Sequence, residues 1–412
     1  MGGQSQGTKT HPIEIIGLGM GGSLSRVEME RIVSADVMAG GARLLERFAH
    51  LPSERIILSA PLSAALDRIE QARDRGERVV VLADGDPLFF GIGATLLERF
   101  ARDALHFTPG ISAVQAACAR IGLAWNDLPV VSLHGRSDSG LVMGALASKG
   151  RAAVYTDNEN TPVSVARLLI ERGVSAATVW VLEELGAPEE RVRRFSPAEA
   201  VQEEFSPLNL VIIEASAAPD GAPVLGRTDV AYEKHEGLIT KWPARACALA
   251  MLRLTRDGVL WDVGAGCGSV GIEACSLMPL GQVFAVERDP QRHKSIRENI
   301  CRCGAWQVKA VKGEAPEAFI GLPDPDRIFV GGSLGGGTAA LAEACRRLKP
   351  GGRIVANTVL LGSLNLAVGH FKDLGWVMAT TQIQASHSSP LAADLHLVAD
   401  NPVFIIAADK PA

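Results

Sequence analysis

Short apolar runs, rich in β-branched residues, alternate along this chain with longer stretches in which apolar positions recur every three or four residues. In the first half the runs are 13–16, 79–83, 130–133, 152–155, 178–182 and 208–213. Between them lie patterns such as 62–75, where Leu62, Ala65, Leu66 and Ile69 share one helical face. The second half repeats the alternation more regularly, with runs at 259–263, 283–286, 308–311, 327–330 and 353–357. Strands alternating with helices predict α/β architecture throughout. The end departs from this rhythm. Two runs, 377–385 and 395–407, have no helical pattern between them, which predicts an antiparallel hairpin at a sheet edge. No short-period repeat is present.

The alternation is interrupted once. Residues 215–226 read ASAAPDGAPVLG, small and Pro- and Gly-containing, and a charged patch, YEKHE, follows at 232–236. This predicts a domain at 12–215, a linker at 216–236 and a domain at 237–412. A length of 412 residues is compatible with two or three domains, each large enough for its own core.

Composition narrows the class. Apolar residues make up 47% and charged residues 21%, as in ordinary globular chains. Lys plus Arg is 41 and Asp plus Glu is 46, so the net charge is 41 − 46 = −5. A mildly acidic chain with 5% aromatics lacks the basic, stacking surface of a nucleic-acid binder. The seven cysteines are odd in number and form no CxxC pair. Cys301 and Cys303 have no second pair near them, so neither disulfides nor a metal site is expected. The first twelve residues contain no apolar signal segment, and no apolar run approaches the roughly 18 residues of a membrane span. A reduced, cytoplasmic protein with no membrane partner is the expectation.

The richest chemistry lies at 260–274, LWDVGAGCGSVGIEA. An apolar strand runs into Gly264, Gly266 and Gly268, and a helix follows. Bare backbone at the glycines allows close approach of a ligand, and the helix start offers unpaired N–H groups. Glu287, nineteen residues after Gly268, stands at the end of the next strand, where a carboxylate can accept both hydroxyls of a ribose. These residues suit an adenosine-containing cofactor, either a dinucleotide or S-adenosylmethionine. The first half has its own G-x-G-x-x-G, formed by Gly17, Gly19 and Gly22. The acid a dinucleotide fold needs about 20 residues on is missing, since 37–41 reads VMAGG.

Resemblance to known families carries the reading further. Asp262, two residues before Gly264, completes a D-x-G-x-G-x-G order that resembles class I S-adenosylmethionine methyltransferases, as does the helix-free strand pair at the end. Gly313, Glu314 and Ala315 stand where such enzymes hold adenine, and 348–352 (LKPGG) resembles their turn before the fifth strand. Residues 237–241 (GLITK), Pro243 and Arg245, 330–333 (VGGS) and 401–404 (NPVF) resemble the precorrin methyltransferase–decarboxylase domain. One departure is that Trp242 and Ala244 stand where an acidic residue is expected. The resemblance covers roughly 230 to 408. It implies cofactor contacts from Thr240, Gly264, Ala265, Gly266, Cys267, Gly268, Glu287 and Ala315.

In the first half, 83–91 (ADGDPLFFG) and 108–115 (TPGISAVQ) resemble the Gly-Asp-Pro and Pro-Gly-Ile-Ser loops of the tetrapyrrole methylases. Residues 40–45 (GGARLL) and 183–186 (EELG) match the branch acting on precorrin-6. This implies S-adenosylmethionine bound between two α/β lobes, touched by Leu18, Asp86, Phe89, Ser112, Ala113 and Thr156. Asp86 suits a cation, although an Asp-Pro pair also serves as a turn.

The expected fold class is therefore α/β: a two-lobed tetrapyrrole methylase domain, then a class I S-adenosylmethionine methyltransferase (Rossmann-like) domain ending in an antiparallel hairpin. Together the halves resemble the fused precorrin-6 methyltransferases of cobalamin biosynthesis. That resemblance implies methylation at C-5 and C-15, decarboxylation of the ring-C (C-12) acetate to give precorrin-8, one S-adenosylmethionine per domain, and a homo-oligomer. Methyl transfer asks mainly for positioning and water exclusion, so no nucleophile or metal is required. Decarboxylation needs an electron sink, which the iminium left by methylation provides, and a proton donor, for which His387 and His396 are candidates. Arg43, Lys241 and Arg245 are candidate contacts for the substrate's carboxylates. The alternatives are a nicotinamide-dependent precorrin reductase and a non-catalytic tetrapyrrole carrier.

Overall fold

A computed structural model describes residues 11–20, 24–134, 140–218, 220–332 and 337–412. Gly22 and Ser333 of the motifs above lie outside the described residues.

The first lobe is a five-stranded parallel sheet of β1 (Ile13–Gly17), β2 (Val37–Gly40), β3 (Glu54–Ile57), β4 (Val79–Ala83) and β5 (Leu105–Thr108), ordered β3-β2-β4-β1-β5. The second lobe holds β6 (Val130–Ser132), β7 (Arg151–Tyr155), β8 (Ala177–Glu183), β9 (Arg191–Phe195) and β10 (Asn209–Ala215), ordered β6-β7-β10-β8-β9. Only β6 and β7 run parallel here; the other pairs are antiparallel. The interior strands β1, β4 and β10 are apolar on both faces, as a sheet covered on both sides requires. β3, β5 and β9 escape a search for apolar runs because each lies at an edge and buries one face or less. β9 (RVRRF) spends two of its arginines on Glu183 of the neighbouring strand.

The second domain is one seven-stranded sheet. Its parallel strands are β11 (Val259–Val263), β12 (Gln282–Glu287), β13 (Val308–Lys312), β14 (Arg327–Gly331) and β15 (Arg353–Thr358). The last four strands are β16 (Val377–Ile383), β17 (Ser386–Leu391), β18 (Asp394–Ala399) and β19 (Val403–Asp409). The sheet order is β13-β12-β11-β14-β15-β19-β16. The antiparallel pairing expected from 377–385 and 395–407 is present at the sheet edge, where β16 pairs with β19. The second run breaks into β18 and β19, and β19 inserts antiparallel between β15 and β16. β17 and β18 leave the sheet as a separate exposed hairpin. Burial explains the split: the β19 core is closed on both faces, while every residue of β18 is exposed.

The segment read as a linker is fastened to the second domain. The Tyr232 hydroxyl donates to Glu273 Oε1 (3.0 Å), and the Gly226 N–H donates to Glu273 Oε2 (2.8 Å). Asn299 clamps the Glu233 backbone at both its N–H and its carbonyl (2.8 Å each). Its small residues let the chain lie close to the domain surface rather than swing free. A single buried cluster runs from the second lobe, through Tyr232, into the second domain. Among the described residues, no helix is long and apolar enough to cross a membrane.

Candidate cofactor sites

In the first domain three loops meet at the carboxyl ends of the first-lobe strands, and their glycines let them meet. A Cβ on Gly17 would overlap the Gly85 carbonyl oxygen and stand 2.5 Å from Gly110 N. A Cβ on Gly110 would stand 2.6 Å from both Gly17 O and Gly19 N. Real side chains never come this close, so Gly17 and Gly110 are there for close packing of backbone on backbone. Hydrogen bonds Leu18 N–H to Ala83 O (2.9 Å) and Met20 N–H to Ile111 O (3.2 Å) seal the junction. Gly17 and Gly19 of the dinucleotide-like motif thereby serve packing: a Cβ on Gly19 would stand 3.3 Å from Ile111 N.

Beside this junction, between the lobes, is a cavity of about 370 Å³, within the roughly 300–1,000 Å³ usual for small-molecule pockets. Asp86, Phe89, Ser112 and Ala113 all line it. Asp86 Oδ1 accepts from Leu88 N–H (2.9 Å), so the residue makes the Asp-Pro turn and faces the cavity as well. Ser112 caps the helix Ala113–Ile121, its hydroxyl accepting from Gln115 N–H (3.2 Å). Two predicted contacts sit otherwise. Leu18 turns its side chain into the lobe core. Thr156 donates its hydroxyl to Asn209 Oδ1 (2.7 Å), one residue beyond the lining. Phe90 and Tyr155 line the cavity and were not anticipated; their rings lie 5.6 Å apart. Phe90 lies within the matched motif 83–91, but Tyr155 is brought in only by the meeting of the lobes. Burial pushes the Tyr155 phenol up to about 12, keeping it protonated. At the rim, Arg43 reaches Asp84 through one nitrogen, Nη2 (2.9 and 3.0 Å). Both side chains are about half exposed.

The second domain builds a different cradle. β11 ends in the loop 264–268, and Gly264 and Ala265 both donate N–H groups to Val286 O (3.0 Å each). This anchors the loop across the sheet to the end of β12. Gly266 has φ +60°, and a Cβ there would meet nothing within 4 Å, so this backbone lies open. Its N–H donates to Glu287 Oε2 (2.8 Å), and Asp289 N–H donates to Oε1 (3.0 Å). Each carboxylate oxygen keeps a second lone pair, so the acid that shapes the loop can still accept ribose hydroxyls. Gly313 N–H donates to Glu287 O (3.1 Å), which draws the 313–315 turn with Ala315 to the same corner. Cys267 is buried, with its carbonyl held by Asn299 Nδ2 (2.9 Å).

Asp262 is wholly buried under this loop. Its Oδ2 accepts from Gly271 N–H (2.9 Å), while Oδ1 has no partner. Burial, aided by the negative Glu287, lifts its carboxyl to about 7.

Arg245 requires a correction. Its side chain is 0% exposed. It donates to Glu273 Oε1 (2.7 Å), Asp229 Oδ1 (3.3 Å), Thr240 O (2.5 Å) and Arg227 O (2.5 Å), with Tyr232 stacked against it. With its donors consumed inside the protein, it fastens the lead-in segment and does not face a substrate. It holds Thr240 by the carbonyl. The neighbouring Lys241 stays half exposed, 3.7 Å from Asp229 Oδ2. His387 and His396 lie on the exposed hairpin; His396 Nδ1 is 3.0 Å from Ser389 O, and His387 Nδ1 is 3.8 Å from Asp400 Oδ1. Among the described residues, these polar contacts stay within 386–400.

The fold and sites define two methyltransferase-type domains in series. One is a two-lobed α/β unit with an interlobe cavity; the other is Rossmann-like with a glycine cradle. Comparison with known proteins agrees. Residues 12–201 match the family model described as Tetrapyrrole (Corrin/Porphyrin) Methylases, and residues 231–410 match the one described as Precorrin methyltransferase domain. A Sinorhizobium protein named precorrin-6Y C(5,15)-methyltransferase [decarboxylating] is 37% identical over 370 residues, 88% of each chain. Two Salmonella typhimurium proteins each match about half of the chain. A cobalt-precorrin-7 C(5)-methyltransferase is 37% identical over 49% of this chain and 98% of its own length. A cobalt-precorrin-6B C(15)-methyltransferase (decarboxylating) is 40% identical over 42% of this chain and 89% of its own length. The chain belongs to the precorrin-6Y C(5,15)-methyltransferase (decarboxylating) family.

Proposed function

We propose that this chain methylates a precorrin-6 tetrapyrrole at C-5 and C-15 and removes carbon dioxide from the ring-C acetate, yielding precorrin-8 in cobalamin biosynthesis. The first domain serves C-5; the second serves C-15 and the decarboxylation. The observation that carries this reading is the presence of two unrelated cofactor-type sites on a chain that matches, over 88% of its length, a relative named for two methylations. S-adenosylmethionine, one molecule per domain, supplies an electrophilic methyl on a sulfonium.

The residues present fit that group. In the first domain Asp86 offers a carboxylate to a cation inside a cavity, and Phe89, Phe90 and Tyr155 line the same cavity with aromatic rings. In the second, Gly266 leaves bare backbone for the cofactor, Glu287 accepts at the ribose, and the turn at Ala315 backs the adenine. The chain's task is positioning, the main requirement of an in-line transfer to an already nucleophilic carbon. Arg43 and Lys241 hold substrate carboxylates. The Arg43–Asp84 pair is exposed and worth at most about 1 kcal/mol, so a substrate carboxylate exchanges into it at little cost. We place the enzyme in the cytoplasm and read it as a homo-oligomer; the exposed Leu391, Leu395 and Leu397 of the β17–β18 hairpin support the second of these.

Calorimetric titration with S-adenosylhomocysteine tests the core of this. Two sites are expected in the full chain, and one in the Asp86→Ala variant. Absence of binding, or binding of NADPH in its place, would overturn the reading.

A further inference from the structure

Each domain keeps its cofactor residues at one end of its strands and meets the other domain with the opposite end. In the second domain the cradle residues follow the carboxyl ends of β11, β12 and β13: Gly264, Glu287 and Gly313. The contacts with the first domain come from the amino ends of β12 and β13. Pro279 O lies so close to Gly144 that a Cβ on that glycine would overlap it. Arg172 Nη1 donates to Trp306 O (3.4 Å) and Gln307 O (3.3 Å), and Lys309 pairs with Glu171 (2.9 Å).

The first domain is built the same way. Its cavity touches β7 at the carboxyl end, Tyr155. The chain leaves for the second domain at the other end of that strand, where Ala215 N–H donates to Gly150 O (2.7 Å). Arg172 and Gly173 follow the carboxyl end of the helix Pro162–Glu171, which returns the chain to the start of β8. Every residue lining the cavity falls between Met20 and Tyr155, and none belongs to the second domain. At about 3.3 Å per residue, the second cradle is set back by a strand length, roughly 15 Å, from the contact; on the first domain the contact reaches Gly144, midway along the helix Gly140–Lys149 that leads into β7.

We infer that the two sites stand back to back and share no chamber, so that the singly methylated tetrapyrrole leaves one site into solvent before it binds the other. Fusion then fixes the two activities at equal concentration without giving them a tunnel. The inference rests on the double-methylation reading above, and its test separates the two. Full-length Asp86→Ala and Glu287→Ala are each given precorrin-6 and S-adenosylmethionine, and the variant whose intact site acts first accumulates a singly methylated product. Wild-type enzyme is then supplied with ring-labelled precorrin-6 together with an excess of that product, unlabelled. Release predicts that label in the doubly methylated product falls by the factor of the dilution. Label unchanged by the excess means direct transfer and overturns the inference while leaving the reaction intact. If both variants bind S-adenosylhomocysteine and neither yields a singly methylated product, the double-methylation reading itself fails, and the inference with it.

Discussion

The two glycine loops of this chain look alike as strings and do opposite physical work. At Gly17 the backbone is crowded: the Gly85 carbonyl and Gly110 amide occupy the space a side chain would take. At Gly266 that space is empty, and the amide is held by a carboxylate at the next strand's end. One loop closes a junction among the loops of the first lobe, and the cofactor cavity forms beside it. The other is itself the cradle. A glycine fingerprint records that backbone approaches something; it does not record whether that something is ligand or protein.

The largest expected effect strikes the bracing of the second cradle. Arg245→Met leaves Glu273 charged and buried without its main partner. Breaking a buried pair from one side costs about 3–5 kcal/mol, so thermal unfolding of the second domain should fall steeply. Titration should show the Asp86 cavity still binding S-adenosylhomocysteine; if stability is unchanged, the fastening role assigned to Arg245 is wrong. Next is the crowded loop. Gly17→Ala forces backbone apart, and overpacking costs about 1–3 kcal/mol, read as a lower melting temperature and loss of the first site alone. Gly266→Ala is its counterpart: at φ +60° the alanine costs about 1–2 kcal/mol in backbone strain but displaces no neighbour, while affinity at the second site drops. A first site that still binds normally in Gly17→Ala would erase the distinction between the loops.

Glu287→Gln should weaken S-adenosylhomocysteine at the second site about tenfold or more, since hydrogen bonds to a charged acceptor are worth about 1.5–3 kcal/mol. The first site serves as the internal control. A further effect concerns pH. Asp262 keeps its proton in the folded protein up to about 7, against an ordinary 3.8. Between those values the native state holds a proton that the unfolded chain has lost, so stability declines as pH rises through the window and levels off above it. Asp262→Asn should flatten that decline, measured as melting temperature at about pH 5 and about pH 7.5. A slope unchanged in the variant would assign the decline to other groups.

Much of this was legible along the chain. Strand–helix alternation marks both domains because a sheet covered on two faces must be largely apolar, as β4 is along its whole length. Edge strands such as β9, with one face in water, carry charge and vanish from such a pattern. The acid at Glu287 was readable because strand length and a tight turn fix its spacing from the glycine loop. Asp86 was readable through its motif.

By itself the sequence determined the two α/β units, the glycine cradle with its acid, and the family. Tertiary structure alone decided what distant segments do on meeting. It packed Gly17 against Gly85 and Gly110, brought Tyr155 across to Asp86, buried Arg245 against Glu273, and slid β19 between β15 and β16. Local spacing specifies strands and turns because those depend on neighbours in the chain. Whether an arginine faces a ligand or a buried glutamate depends on what lies across the fold, and no local pattern encodes that.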